Sequence, residues 1–251
     1  MFDLDGHVAL VTGGNAGLGL GMATGLAKAG AKLAIWGRNL ERNKAACARL
    51  SDIGAEAVSF ACDVTLPEQV DAAMAQTLEH FGRLDSCFAN AGGSGIRGSL
   101  SSLSTADWQK TMDLNFHSVV STFRVAARHM AERGEGGRLI ATSSIAGIIG
   151  LPGGGYSPSK AAVSGLVRQL AIELGGAGIT VNAILPGYIE TEMSLDTPPV
   201  FRQSCERRTV SGKIGTLEDM EGIAVFLASQ HSRLLTGESI VMDGGFTIFP
   251  M

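Results

Sequence analysis

Short β-branched runs alternate with longer amphipathic stretches along the whole chain, and few folds accommodate that rhythm. Parallel strands need a crossover of a dozen or more residues, and a helix is the usual one. Residues 7–11 read as the first strand and 18–29 as the helix that follows. Residues 32–36 form the second strand, with Asn39 as N-cap of a helix over 40–50. Strands at 57–61 and 86–89 flank a helix that Pro67 starts. A long helical stretch from about 106 to 133 precedes a strand at 138–141, a helix after Pro158 and a strand at 180–184. A helix near 217–229 and a strand near 239–242 complete the series. Seven strands and six main helices predict one α/β domain over residues 1–251, a doubly wound parallel sheet flanked by helices. The irregular stretch 187–215, with Pro198 and Pro199, is expected to be a functional loop.

Composition excludes several partners. A net charge of −4 and a pI near 5.7 give no electrostatic reason to expect nucleic acid or an anionic membrane. No apolar run is long enough to cross a bilayer, and the acidic start Met1-Phe2-Asp3-Leu4-Asp5-Gly6 has no apolar leader, so a cytoplasmic location is expected. Cys47, Cys62, Cys87 and Cys205 are scattered without metal-ligand spacing and read as free thiols.

Thr12-Gly13-Gly14-Asn15-Ala16-Gly17-Leu18-Gly19 lies between the first strand and the first helix. Glycines let backbone N–H groups approach a pyrophosphate without a Cβ in the way, and the helix dipole favours the anion. Glycine-rich turns also occur for steric reasons alone; the strand before and the helix after supply the context that favours a dinucleotide. The second strand ends in Trp36-Gly37-Arg38-Asn39, without the acid that would accept from ribose hydroxyls. Arg38 is suited to pair with a 2′-phosphate, which favours NADP(H) and leaves NAD(H) open, since Arg38 also fits a solvated helix start. Asp63-Val64 after the third strand is placed to accept from the adenine amino group, and Asn90-Ala91-Gly92 after the fourth brings backbone to the cofactor.

Tyr156 and Lys160 stand four residues apart at a helix start and share one face. A phenol has a pKa of about 10. A neighbouring ammonium stabilises the phenolate and makes the group a usable acid or base. Ser143 and Ser144 end the fifth strand, where a hydroxyl can hold a substrate oxygen against Tyr156; a local turn would also use them. Asn115 is a poor helix former inside a long helix, so a backbone irregularity holding a relay water is expected there, against the alternative of a tolerated polar residue.

In order and spacing, Thr12 to Gly19, Asp63, Asn90-Ala91-Gly92, Asn115, Ser143-Ser144, Tyr156 with Lys160, Pro186-Gly187 and Asp243-Gly244-Gly245 together resemble the short-chain dehydrogenase/reductase family over nearly the full length. The resemblance implies a Rossmann-like seven-stranded sheet, a homotetramer and a small carbonyl or alcohol as substrate. It implies Tyr156 as acid/base, Lys160 on the nicotinamide ribose, Ser144 orienting the carbonyl and Asn115 holding the relay water. It places Pro186-Gly187, Ile189 and Thr191 along the nicotinamide. The stretch from Gly147 to Tyr156 is one residue shorter than usual, so local pattern selects Ser144 while distance to the tyrosine selects Ser143. Asn15-Ala16 stands where many NADP(H)-using members place a basic residue.

The leading expectation is a reversible carbonyl reductase or alcohol dehydrogenase acting on a small ketone, a sugar or polyol, or a 3-oxoacyl compound. The alternative is a catalytically silent cofactor sensor, which would be expected to lose Tyr156 or Lys160. Arg202, Arg207 and Arg208 would suit either an anionic substrate or a solvated helix face.

Overall fold

A computed structural model describes residues 2–96, 98–151, 154–194 and 198–248, and of Met193 the backbone alone. Seven strands form one sheet: β1 (Val8–Thr12), β2 (Lys32–Gly37), β3 (Ala57–Ala61), β4 (Ser86–Ala89), β5 (Gly137–Thr142), β6 (Ile179–Pro186) and β7 (Ser239–Met242). Their spatial order is β3-β2-β1-β4-β5-β6-β7, and every neighbouring pair is parallel. The strand order reverses between β1 and β4, which opens a crevice beyond their C-terminal ends; open α/β sheets bind ligands at that point.

The two-residue period of a strand divides the core. On β1, Val8 and Leu10 face one layer while Ala9 and Val11 face the other. One layer packs Trp36, Phe123, Met130, Val163 and Val167 between the sheet and the helices α3 (Pro67–Phe81), α5 (Ser118–Arg133) and α6 (Tyr156–Leu174). The other packs Met22, Leu26, Ile35, Leu50 and Met220 from the sheet, α1 (Gly17–Lys28), α2 (Leu40–Asp52) and α8 (Asp219–Ala228). Trp36 is fully buried yet satisfied, because its indole N–H donates to the Thr77 hydroxyl at 3.0 Å.

Helix ends follow local chemistry. Asn39 caps α2 by accepting from the Arg42 N–H at 3.0 Å, Pro67 occupies the first turn of α3, and Gly134 ends α5 with φ of 72°.

Three features depart from the expected outline. The long helix is interrupted: α4 (Thr105–Met112) passes through a π-helical turn, Asp113–His117, into α5. The helix expected after Pro158 begins two residues earlier, at Tyr156, since a proline is tolerated in a first turn where its missing N–H has no partner to lose. The stretch 187–215 contains a helix, α7 (Pro199–Arg208), which buries only Cys205 and so has no apolar stripe to announce it. Among the described residues the four cysteines are free, and no helix is long and apolar enough to cross a membrane.

Candidate active site

The glycine turn leaves β1 and enters α1 without a side-chain cap: Ala16 is the N-cap and offers none, so the first N–H groups of α1 keep no side-chain partner. Gly13 and Gly17 have φ of 64° and 50°, in the left-handed region. A Cβ on Gly19 would lie 2.3 Å from the Gly13 carbonyl oxygen and 2.5 Å from Asn90 Nδ2, so only glycine lets α1 start this close to the turn. These features suit a cradle for a pyrophosphate.

Asn90 ties the turn to the centre of the sheet. Its Nδ2 donates to the Thr12 carbonyl at 3.0 Å and its Oδ1 accepts from the Thr142 hydroxyl at 3.0 Å. The Thr12 hydroxyl accepts from the N–H groups of Asn90 and Ala91, both at 3.0 Å. Asn15 donates to Asn43 at 2.6 Å, and Asn43 donates to the Gly37 carbonyl at 2.9 Å, which fastens the turn to the end of β2.

Arg38 stands exposed at that end, its guanidinium 3.7 Å from the Asp63 carboxylate. Burial pushes Asp63 up, but hydrogen bonds from the Thr65 hydroxyl and N–H, with Arg38 nearby, outweigh it and hold the carboxyl below its ordinary value. Val64 beside it is buried in the core, and the Asn39 side chain serves α2 as its cap.

β6 closes the cleft from the other side. Pro186 ends the strand, and Gly187 donates its N–H to the Met242 carbonyl at 2.9 Å. Ile189 bridges to Gly215, and the Thr191 methyl lies 3.7 Å from where a Cβ of Gly17 would stand. The next residue, Glu192, forms an exposed ion pair with Arg42 on α2 at 3.3 Å, so this segment spans from the glycine turn to the Arg38 side.

Around Tyr156 the polar groups divide between structure and open space. Lys160 is fully buried and donates from Nζ to the Thr142 carbonyl at 2.8 Å, 5.8 Å from the Tyr156 ring centroid. Burial lowers its pKa to about 8. Burial raises the Tyr156 phenol, and a hydrogen bond with the Ser144 hydroxyl draws it partway back. The expected lowering of the phenol by Lys160 is therefore not the dominant effect here: the phenol is held in its protonated form. Ser143 and Ser144 separate cleanly. Ser143 is buried and donates to the Lys160 carbonyl at 2.8 Å, whereas Ser144 is partly exposed beside Tyr156 and also accepts from the Ala146 N–H at 3.1 Å.

Asn115 sits fully buried in the π-helical turn. Its Oδ1 accepts from the Gly93 N–H at 3.0 Å and its Nδ2 donates to the Thr111 carbonyl at 3.2 Å. A Cβ on Gly92 would lie 2.9 Å from Asn115 Oδ1 and 3.4 Å from Lys160 Nζ, so Gly92, Asn115 and Lys160 converge. Thr111 holds the same chain exit a second time, accepting from the Ile96 N–H at 3.2 Å. Thr111, Thr142 and Asn43 carried no motif signal; each acts through side-chain bonds to groups 6 to 52 residues away.

A doubly wound sheet with this turn, and a Tyr-x-x-x-Lys pair at the same edge, defines a class of dinucleotide-dependent oxidoreductases. The chain belongs to the short-chain dehydrogenase/reductase family, whose members bind NAD(P)(H). A family model described as enoyl-(acyl carrier protein) reductase matches residues 13–247. Gluconate 5-dehydrogenase of Gluconobacter oxydans is 34% identical over 251 residues, covering 99% of this chain and 97% of that relative. The 3-oxoacyl-(acyl-carrier-protein) reductase FabG of Chlamydia muridarum is 35% identical over 240 residues, covering 94% of this chain and 96% of its own. The crystal structure of a short-chain type dehydrogenase/reductase from Mycobacterium marinum matches with a TM-score of 0.93 at 35% identity, covering 98% of each chain.

Proposed function

We propose that the protein interconverts a ketone or aldehyde and the corresponding alcohol, using NADP(H) in preference to NAD(H). The observation that carries this reading is the meeting of Tyr156 and Ser144 at the same sheet edge as the uncapped glycine turn. When bound, the dinucleotide supplies or accepts the hydride.

The residues do the rest. The N–H groups of the turn, with Thr12, Gly13, Asn15, Gly17, Leu18 and Gly19, suit the pyrophosphate. Asp63, Val64, Asn90, Ala91 and Gly92 border the adenosine and the inner ribose. Pro186, Gly187, Ile189 and Thr191 flank the nicotinamide side. Arg38, beside Asn39, is available for a 2′-phosphate because its side chain is 71% exposed and its contact with Asp63 is a loose 3.7 Å. Lys160 is suited to donate to ribose hydroxyls while its second contact, to the Thr142 carbonyl, fixes its position.

In reduction, Ser144 donates to the substrate oxygen and Tyr156 delivers a proton to it as charge develops. A phenol raised by burial is protonated at neutral pH and ready for that role. In oxidation Tyr156 accepts the alcohol proton instead. Asn115 in its π-helical turn is suited to anchor a water that carries the proton on past Lys160. Sugars or polyols, 3-oxoacyl compounds and small ketones are the substrate classes, and the resemblance extends the reading to a homotetramer, which light scattering tests.

The deciding experiment combines NADPH and NADH titration of the purified protein with turnover of Tyr156→Phe. Expected are dinucleotide binding close to wild type and at least a 100-fold loss of turnover. Retained turnover would remove Tyr156 from the acid/base role, and binding of neither dinucleotide would end the reading altogether.

A further inference from the structure

A relay of amides with only one possible polarity links the glycine turn to the end of β2. The Gly37 carbonyl can only accept, so the buried amide of Asn43 turns its NH2 toward it, at 2.9 Å. Asn43 Oδ1 is then the acceptor facing Asn15, and Asn15 has to answer with its own NH2, at 2.6 Å. Through Asn43, a backbone carbonyl thus decides which way round the Asn15 amide stands. Gly37 leaves room for the contact: a Cβ there would lie 2.5 Å from Asn43 Oδ1 and closer still to Asn15 Nδ2.

What the relay leaves over is Asn15 Oδ1. Among the described residues it accepts from no group, and it is not a buried atom, so it reaches solvent. Its place decides which atom of a dinucleotide it suits. On one side lie the uncapped N–H groups of the turn, suited to the pyrophosphate. On the other lies the end of β2, where the Gly13 N–H donates to the Trp36 carbonyl at 2.7 Å and Arg38 stands exposed for a 2′-phosphate. Along a ribose, the 3′-carbon lies between the 2′-carbon and the 4′-carbon, from which the 5′-pyrophosphate arm leaves. An oxygen that only accepts suits a hydroxyl there and would repel a phosphate oxygen.

We infer that Asn15 accepts from the adenosine 3′-hydroxyl and that Asn43 is a positioning residue, holding the Asn15 amide the right way round for it. The inference rests on the dinucleotide reading above and deepens it. The 3′-hydroxyl is common to NADH and NADPH, so the pair strengthens both, and the choice between them stays with Arg38. Without Asn43 the Asn15 amide is free to present its NH2 or its oxygen, and each ligand has to order it.

The test is fluorescence titration of the purified protein with NADH, NADPH and 3′-deoxy-NADH, with folding checked by circular dichroism. Asn15→Ala is expected to weaken NADH and NADPH about five-fold each, the worth of one neutral hydrogen bond, with their ratio unchanged within about two-fold. The wild-type protein should bind 3′-deoxy-NADH about five-fold more weakly than NADH, and Asn15→Ala should bind the two alike. Asn43→Ala, or Asn43→Ser where the alanine variant does not fold, should weaken both dinucleotides about three-fold alone and within about 1.5-fold when combined with Asn15→Ala. A deoxy penalty that survives Asn15→Ala gives the hydroxyl another partner and overturns the inference. An Asn43 effect of equal size in both backgrounds makes Asn43 a packing residue and does the same. If Asn15→Ala shifts the NADPH-to-NADH ratio about ten-fold, the side chain meets the 2′ position instead, and the inference fails while the oxidoreductase reading stands. Binding of neither dinucleotide by the wild-type protein would sink both.

Discussion

Ser143 and Ser144 are adjacent, and the structure gives them different work, so removing each hydroxyl should affect turnover very differently at a similar cost in stability. Ser143→Ala deletes one buried hydrogen bond, the 2.8 Å contact to the Lys160 carbonyl. Such a bond contributes about 1 kcal/mol net. In a chain of 251 residues that corresponds to a drop of roughly 2–4 °C in Tm. Because the hydroxyl points at helix backbone, kcat/KM should stay within about three-fold of wild type. Ser144→Ala removes a partly exposed hydroxyl beside Tyr156 and the 3.1 Å contact that starts the short turn at Ala146. Losing a donor aimed at developing oxyanion charge costs about 100-fold in turnover, and losing the turn's cap adds about 1 kcal/mol of destabilisation. Initial rates with one ketone and one dinucleotide, paired with thermal melts by circular dichroism, separate the two effects. The reasoning is refuted if folded Ser143→Ala loses turnover 100-fold while Ser144→Ala keeps it.

Other expectations follow from charge. Arg38→Asp should lower the NADPH-to-NADH ratio of kcat/KM by about 10- to 100-fold, the worth of a charge-assisted contact; an unchanged ratio in steady-state kinetics would make Arg38 a bystander. His7 has its pKa lowered to about 4, chiefly by burial, with Asp85 opposing and Arg138, Arg83 and Arg133 assisting. The folded state therefore favours the neutral imidazole, and the unfolded chain binds the extra proton. The contribution is complete above pH about 6.5 and is lost as pH falls toward 4, about 2.5 kcal/mol by pH 4.5. Urea melts of His7→Gln, which can keep the contact to Ser86, should lose that part of the pH slope. A slope equal to wild type would assign the acid sensitivity elsewhere.

How much of this was legible in residues alone depends on what kind of signal each element leaves. The strands were readable because both faces of the sheet are covered, so every residue of β1, β4 and β6 is buried and most are apolar. Asn115 was readable as an anomaly, a residue with low helix propensity where a helix had to continue, and the π-helical turn is its cause. α7 left no trace, since a helix starting at consecutive prolines and exposing Val200, Phe201 and three arginines has neither periodicity nor composition in its favour. The choice between Ser143 and Ser144 could not be made by spacing, because it depends on which hydroxyl faces the backbone of α6. Likewise, the Arg42–Glu192 pair and the Asn43 tie join residues far apart in sequence and obey no local pattern.

The π-helical turn has a consequence for how this chain tolerates insertions and deletions. A turn closed from residue i to i+5 contains one residue more than its α-helical counterpart. Deleting a single residue between 113 and 117 would let the turn relax into ordinary helix, continuous from α4 into α5, with better backbone geometry than before. The helices on either side would keep nearly their present phase, because the five residues of the wide turn cover about as much rotation as four residues of α-helix. What would go is the local widening that aims the Asn115 amide at the Gly93 N–H, while Thr111 on α4 could still hold Ile96. The widened turn is thus a place where a lost residue would pass unnoticed by the packing: the helices would stay where they are, and the site alone would lose one of its polar anchors.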